Sequence, residues 1–149
     1  YQLLPAIQTR FELRGGTSSA RVTWLVDGNN MCQSYMNAAR LLDFELVIRC
    51  PKGYAPQAEP LPQHTDRVRG APAAEAAVAG ADLLVTDVWA SMGQESEQLA
   101  RAEAMAPFQL TRSLLNHAND GALYMHCLPA HRGEEITAEL MDAEDSIIW

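Results

Sequence analysis

The chain has 149 residues with a formal net charge of −8, and its 48% hydrophobic and 20% charged residues are typical of one globular domain with its own core. The acidic balance argues against a nucleic-acid-binding protein, which needs clustered basic residues. No apolar run approaches the roughly 18 residues of a membrane span, and no signal-peptide core is evident, so we expect a protein that does not bind membranes. The three cysteines are widely spaced and fit reduced thiols, which predicts a cytoplasmic protein.

Hydrophobic periodicity predicts helices and strands that alternate along the chain. A first helix is predicted over residues 1–13 and ends before Gly15 and Gly16. Residues 55–72 carry several prolines and few apolar side chains, which predicts an irregular surface loop. The other predicted elements are strands at 21–26, 45–50, 82–86, from 122 to near Pro129 and at 146–149, and helices at 31–39, at 73–79, at 95–105, after Thr111 and after Thr137. Thr111 and Thr137 are each predicted to cap the helix that follows.

This alternation predicts an open, mostly parallel sheet with helices on both faces, the Rossmann-like three-layer α/β class. In such sheets, ligands bind outside the carboxyl ends of the strands. Three polar segments follow predicted strands and should meet at that edge, namely residues 27–30, 87–95 and 126–135. A dinucleotide site is disfavoured, because only Gly28 is present of the Gly-x-Gly-x-x-Gly fingerprint.

The segment from His126 to Glu135 concentrates cysteine, histidine, arginine and glutamate at a strand end. One interpretation makes Cys127 a small buried hydrophobe beside a solvated loop. A metal site of His126, Cys127 and His131 is disfavoured, because strand neighbours face opposite sides and no further pair completes four ligands. We therefore expect no metal, and the third interpretation is a site for a small charged substrate.

Asn29, Asn30 and Asp87 are candidates for structural as well as binding roles. Either asparagine can cap the helix that follows the turn at Gly28. An aspartate at a strand end is often only a helix cap, but the carboxylate of Asp87 also suits a substrate ammonium group, because charge-assisted hydrogen bonds are strong. The residues alone leave both alternatives open.

Three segments together carry a family resemblance. They are DGNN at 27–30, DVWASMGQE at 87–95 and HCLPAHRGEE at 126–135, with a weaker match in PKGY at 51–54. In this order and spacing they resemble the second half of ornithine carbamoyltransferases, over nearly the whole chain. The resemblance implies that residues 1–16 are part of a helix between two domains and that residues 17–149 form an ornithine-binding domain. It also implies a fragment, truncated at its C-terminus and without the carbamoyl-phosphate domain.

The resemblance also implies a role for individual residues. Cys127 would be catalytic: it would orient the attacking amine and help handle its proton, without acting as a covalent nucleophile. The charged residues of the 131–135 loop would have structural or closure roles. The implied contacts are Asn30, Asp87, Ser91 and Met92 with ornithine, and Gln2, Cys127 and Leu128 with carbamoyl phosphate.

The chain departs from the family pattern at its N-terminal end. The His-Pro that precedes Gln2 in the family is absent, and Ala6 stands where an aspartate is usual. The Ser-Thr-Arg-Thr motif that forms the family's main phosphate cradle appears nowhere in the chain. We therefore expect the ornithine half of the site to be represented better than the phosphate half.

The reaction implied by the resemblance transfers the carbamoyl group of carbamoyl phosphate to the δ-amine of L-ornithine, with no cofactor. The parent enzyme would be a homotrimer or a trimer-based oligomer. One alternative is a carbamoyltransferase for another amine acceptor, such as putrescine or a modified ornithine, although the Ser91-Met92-Gly93 segment favours plain ornithine. A second alternative, from another functional class, is a non-catalytic amino-acid-binding module.

Overall fold

Five parallel strands form the centre of the structure, a computed structural model that describes residues 19–56, 66–90, 95–144, 146 and 148. The strands are β1 (Arg21–Leu25), β2 (Glu45–Arg49), β3 (Val68–Gly70), β4 (Leu83–Thr86) and β5 (Leu123–His126). The helices are α1 (Asn30–Leu42), α2 (Ala74–Val78), α3 (Gln98–Met105), α4 (Arg112–Leu115) and α5 (Ala138–Met141), with 3-10 turns at Glu95–Glu97 and Ala106–Phe108. The strand order is β3-β2-β1-β4-β5, and all neighbouring strands are parallel.

Side chains of β1 fill both faces of the sheet, because successive residues of a strand point to opposite sides. Val22 and Trp24 pack in the layer that contains α1, where the rings of Trp24 and Tyr35 lie 5.2 Å apart. Leu25 packs in the opposite layer, together with buried side chains of α2, α3, α4 and α5. The predicted three-layer α/β sheet is therefore confirmed.

Side-chain caps begin three of the helices, because the first N–H groups of a helix have no partner within it. The Thr111 hydroxyl accepts from the Leu114 N–H at 3.1 Å, and the Thr137 hydroxyl accepts from the Leu140 N–H at 3.5 Å. Both predicted threonine caps are confirmed. Asn29, rather than Asn30, caps α1.

The structure corrects the prediction of an irregular loop over 55–72. This segment contains β3, whose Val68 pairs with Leu46 of β2 at the edge of the sheet. Two of the three β3 residues are exposed, so the strand leaves no apolar alternation in the sequence. The predicted strand at 146–149 is also not formed at Ser146 or Ile148, its two described residues, and the predicted helix at 1–13 lies outside the described residues. None of the described helices has both the length and the apolar character of a membrane span.

Candidate active site

The carboxyl ends of β1, β4 and β5 bring the three polar segments to one edge of the sheet. β4 lies between β1 and β5, and the pairing of Thr86 with His126 sets the register of its end. The Cys127 N–H donates to the Thr86 carbonyl at 3.0 Å, so Cys127 and Asp87 begin adjacent loops. The predicted convergence of these segments is confirmed for the residues that the structure describes.

The carboxyl group of Asp87 is buried and held by two donors. Oδ2 accepts from Asn29 Nδ2 at 2.8 Å, and Oδ1 accepts from the Val88 N–H at 2.8 Å. Burial raises the pKa of Asp87 above its ordinary value, against the effect of these two hydrogen bonds and of nearby His126. An additional cation beside this group would relieve the penalty of burying its charge.

The two asparagines of the first segment occupy different positions. The Asn29 side-chain oxygen accepts from the N–H groups of Met31 and Cys32 at 2.9 and 3.1 Å, which makes it the cap of α1. Asn30 is the first residue of α1 and is exposed at the same edge as Asp87. The contact of Asn30 with an amino-acid substrate stays a prediction.

Gly28 allows residues 51–56 to approach the 27–30 segment closely. The Gly28 N–H donates to the Tyr54 carbonyl at 2.7 Å. A Cβ atom at Gly28 would clash with the backbone nitrogen of Pro56. Glycine is therefore required here by a close backbone contact, whereas the sequence suggested only a tight turn.

Cys127 is half-buried and directly follows β5. Burial, and then the negative charge of Asp87, raises the pKa of the Cys127 thiol to about 12. The group is therefore a neutral thiol at physiological pH, which fits an orienting role better than that of a nucleophile. Leu128 follows it and is 38% exposed at the same edge.

A buried His126–Glu135 pair supports the loop after β5. His126 Nε2 and Glu135 Oε1 lie 3.0 Å apart with both side chains fully buried, and the His131 N–H donates to the same oxygen at 2.6 Å. Burial acts to raise the pKa of Glu135, but the hydrogen bonds from His126 and the His131 N–H outweigh it, so the pKa is lowered. The expected structural role of this loop is thus seen for Glu135.

Candidate metal ligands also lie in this loop. Ligand atoms of His131, Glu134 and Glu135 lie within 4.8 Å of one another. Glu135 Oε1 already accepts from His126 and from the His131 N–H. These hydrogen bonds stabilise the loop, and they explain why the three side chains lie close together. The three residues of this cluster also differ from the His126, Cys127 and His131 set that the sequence analysis considered as metal ligands.

Sequence patterns gave no indication of the part that Arg101 plays at this edge. Arg101 lies on α3, forms a buried ion pair with Asp27, and donates from Nε to the Trp89 carbonyl at 2.5 Å. Its guanidinium also lies 4.9 Å from the centroid of the Tyr54 ring. One side chain therefore contacts three of the segments that form the site. Three other predicted contact residues, Gln2, Ser91 and Met92, lie outside the described residues.

Comparison with known proteins gives a consistent result. Residues 18–149 match the model of the Asp/Orn binding domain of aspartate/ornithine carbamoyltransferases. Proteins named ornithine carbamoyltransferase from Methylococcus capsulatus and Halorhodospira halophila are 52% and 53% identical over 148 residues, 99% of this chain and 50% and 49% of theirs. The chain thus spans about half the length of these curated relatives.

Solved structures agree with the sequence comparison. The ornithine carbamoyltransferase structure from Burkholderia thailandensis has a TM-score of 0.84 at 38% identity, over 99% of this chain and 47% of that one. The structure from Pyrococcus furiosus has a TM-score of 0.85 at 34% identity, over 99% of this chain and 50% of that one. The similarity therefore extends from the sequence to the fold.

Proposed function

Because the chain belongs to the aspartate/ornithine carbamoyltransferase family, we propose that it supplies the ornithine-binding part of an ornithine carbamoyltransferase. The whole enzyme would convert carbamoyl phosphate and L-ornithine into L-citrulline and phosphate. The observation that carries this proposal is that Asn30, Asp87 and Cys127 follow three parallel strands at one edge of the sheet, where hydrogen bonds join Asn29 to Asp87 and Cys127 to Thr86. These residues offer an amide, a buried carboxylate and a neutral thiol to one small molecule.

Each polar group of ornithine has a matching group in the proposal. The α-ammonium binds Asp87, whose carboxylate is buried and lacks a cationic side chain among its hydrogen-bond partners in the described residues. The α-carboxylate binds Asn30 at the start of α1 together with Ser91 and Met92. The three methylene groups then direct the δ-amine toward Cys127.

The chemical step requires a neutral amine. The δ-amine has a solution pKa near that of lysine, about 10.4, so binding must favour its deprotonated form. Its lone pair attacks the carbamoyl carbon, the bond from that carbon to the phosphate oxygen breaks, and phosphate leaves with the bonding electrons. The nitrogen then loses its extra proton, and the departing phosphate accepts it. Cys127 orients the amine and assists in handling this proton.

The carbamoyl-phosphate side of the site would be shared between this chain and the rest of the protein. Leu128 offers its backbone to the carbamoyl group, and Gln2 contributes from the N-terminal segment. In this proposal residues 1–16 belong to an interdomain helix, residues 17–149 form the ornithine domain, and another domain binds the phosphate. The enzyme would act in the cytoplasm as a homotrimer or a trimer-based oligomer, without a cofactor.

A colorimetric citrulline assay on the purified full-length protein tests this proposal. Citrulline should form from carbamoyl phosphate and L-ornithine, and replacing ornithine by putrescine should abolish most of the turnover, because putrescine keeps both amines but lacks the α-carboxylate that Asn30, Ser91 and Met92 would bind. Faster carbamoylation of putrescine than of ornithine would favour another amine acceptor. Calorimetric binding of ornithine without any turnover would favour a non-catalytic amino-acid-binding module.

A further inference from the structure

Asn29 lies between the two halves of the proposed ornithine site. Its side-chain oxygen accepts the first N–H groups of α1, and its side-chain nitrogen donates to Asp87 Oδ2 at 2.8 Å. We infer that Asn29 is a positioning residue, which holds Asp87 for the substrate ammonium while it fixes the helix start that carries Asn30. The inference rests on the proposed function, because that function identifies the substrate.

The contacts of Asn29 determine which end of its amide faces Asp87. Oδ1 accepts from the Met31 and Cys32 N–H groups at 2.9 and 3.1 Å. The opposite amide orientation would point an NH₂ group at these donors and an oxygen at the Asp87 carboxylate. Nδ2 must therefore face Asp87, and the same amide serves both the helix and the carboxylate.

Asp87 depends on this donor because its carboxyl group is buried. Each carboxylate oxygen has one donor among the described residues, Asn29 Nδ2 for Oδ2 and the Val88 N–H for Oδ1. Without Asn29 Nδ2, Oδ2 would lose its donor, the charged form would be less favoured, and the carboxyl group could rotate about its side-chain bond. Ornithine would then bind beside a carboxyl group that has a higher pKa and a less well-defined orientation.

Other ionisable groups also influence Asp87. Besides burial, which raises the pKa of Asp87 most, His126 on β5 lowers this pKa and Glu135 raises it. Tyr35 of α1 and Cys127 after β5 are coupled to its charge as well. These four groups are unchanged in Asn29 variants, so a change in the pH dependence that appears on replacing Asn29 reports the lost donor.

Two functions of Asn29 can be separated by substitution. Asn29→Ser keeps an oxygen that can cap α1 but removes the amide nitrogen Nδ2 that donates to Asp87. Asn29→Asp also keeps a capping oxygen and places a like charge beside Asp87. Thr111→Ala removes the cap of α4 and serves as a matched control for the loss of a cap alone.

The kinetic experiment measures KM for ornithine, KM for carbamoyl phosphate and kcat in the full-length protein. Asn29→Ser should raise KM for ornithine about tenfold, the effect of losing a hydrogen bond to a charged group, with little change in KM for carbamoyl phosphate. The acid limb of kcat/KM for ornithine should move to higher pH, and further still in Asn29→Asp. Thr111→Ala should lower thermal stability and leave both quantities unchanged.

A double-mutant cycle with Asp87→Asn tests whether Asn29 acts through Asp87. In the Asp87→Asn background, Asn29→Ser should have little additional effect on ornithine affinity measured by calorimetry. An undiminished effect in that background, or a wild-type KM and acid limb in Asn29→Ser, would overturn the inference. The same cycle, repeated on urea unfolding, needs no substrate and should show coupling between the two residues.

These experiments distinguish the inference from the proposed function. A wild-type protein that neither binds ornithine nor forms citrulline would refute the proposed function and the substrate named here, whereas the unfolding cycle would still report whether Asn29 and Asp87 are coupled. An active wild-type protein whose Asn29 variants behave like Thr111→Ala would refute only the positioning role.

Discussion

Arg101 on α3 and Asp27 after β1 form a buried ion pair across 74 positions of the sequence. The exposed fractions of their side chains are 5% and 16%. The same guanidinium contacts Trp89 and Tyr54, so the pair stabilises the arrangement of three loops. Asp27 directly precedes Gly28 and Asn29, which connects the ion pair to the candidate site.

Replacing Arg101 by methionine should destabilise the protein strongly. Breaking a buried ion pair leaves an uncompensated charge, here on Asp27, and typically costs about 3–5 kcal/mol. Urea unfolding of the full-length protein measures this loss. The matched control is Arg112→Met, because Arg112 pairs with Glu139 at 3.7 Å where the side chains are 38% and 70% exposed. That substitution should change the free energy of unfolding by less than about 1 kcal/mol, and equal losses in both variants would contradict the role given to Arg101.

Asp87→Asn should weaken ornithine binding by about 1.5–3 kcal/mol, the range for hydrogen bonds to charged groups. The variant keeps the size of the side chain but removes the charge that faces the α-ammonium. Calorimetry with L-ornithine measures the effect. As a ligand control, 5-aminovalerate keeps the carboxylate and the distal amine but lacks the α-ammonium, so its affinity should change little.

A charge control accompanies the Asp87 experiment. Asp142→Asn removes a carboxylate that is exposed and paired with Arg132 at 2.8 Å. Its ornithine affinity should equal that of the wild-type protein. If Asp87→Asn folds normally and binds ornithine with wild-type affinity, Asp87 does not contact the ammonium.

Cys127 should react slowly with alkylating reagents. With a pKa of about 12, very little thiolate exists near pH 8, although a thiolate of high pKa is intrinsically more nucleophilic. When the small thiolate fraction and the higher nucleophilicity are combined, we expect iodoacetamide to modify Cys127 about a hundredfold more slowly than it modifies a model cysteine. Mass spectrometry of the peptide that contains Cys127, with glutathione as a reference, measures the rate. An alkylation midpoint near pH 8.5 would show that neither burial nor Asp87 suppresses ionisation of the thiol.

Glu135 should make stability depend on pH in the acid range. Its pKa in the folded protein lies below its ordinary 4.5, so its stabilising contribution is complete above that value and is lost as the pH falls through the lower folded pKa. Urea unfolding between pH 3 and 7 should show this loss in the wild-type protein. Glu135→Gln should flatten the dependence and destabilise the protein at pH 7 by about 1–3 kcal/mol.

Glu139→Gln provides the control for Glu135, because the Glu139 side chain is 70% exposed. This variant should retain both the wild-type stability at pH 7 and the acid dependence. An unchanged acid dependence in Glu135→Gln would place the responsible carboxylate elsewhere.

The sequence by itself determined the features that depend on neighbouring residues. Apolar runs and helical spacing predicted β1, β2, β4, β5 and the helices around them, because strand and helix periodicities are local. Thr111 and Thr137 were predicted as caps for the same reason. Since the carboxyl ends of parallel strands meet at one edge of a sheet, the sequence also predicted that Asp87 and Cys127 lie at the same edge, whereas the pairing of β4 with β5 that makes their loops adjacent is seen only in the structure.

Only the tertiary structure decided the features that join distant residues. β3 forms because Val68 meets β2 at the sheet edge, and its own side chains carry no apolar pattern. Arg101 and Glu135 resemble ordinary surface charges in the sequence, yet both are buried, Arg101 with Asp27 and Glu135 with His126. The attraction between the two partners of such a pair becomes strong only after the fold has removed both from water and brought them into contact. No local pattern of residues predicts this contact.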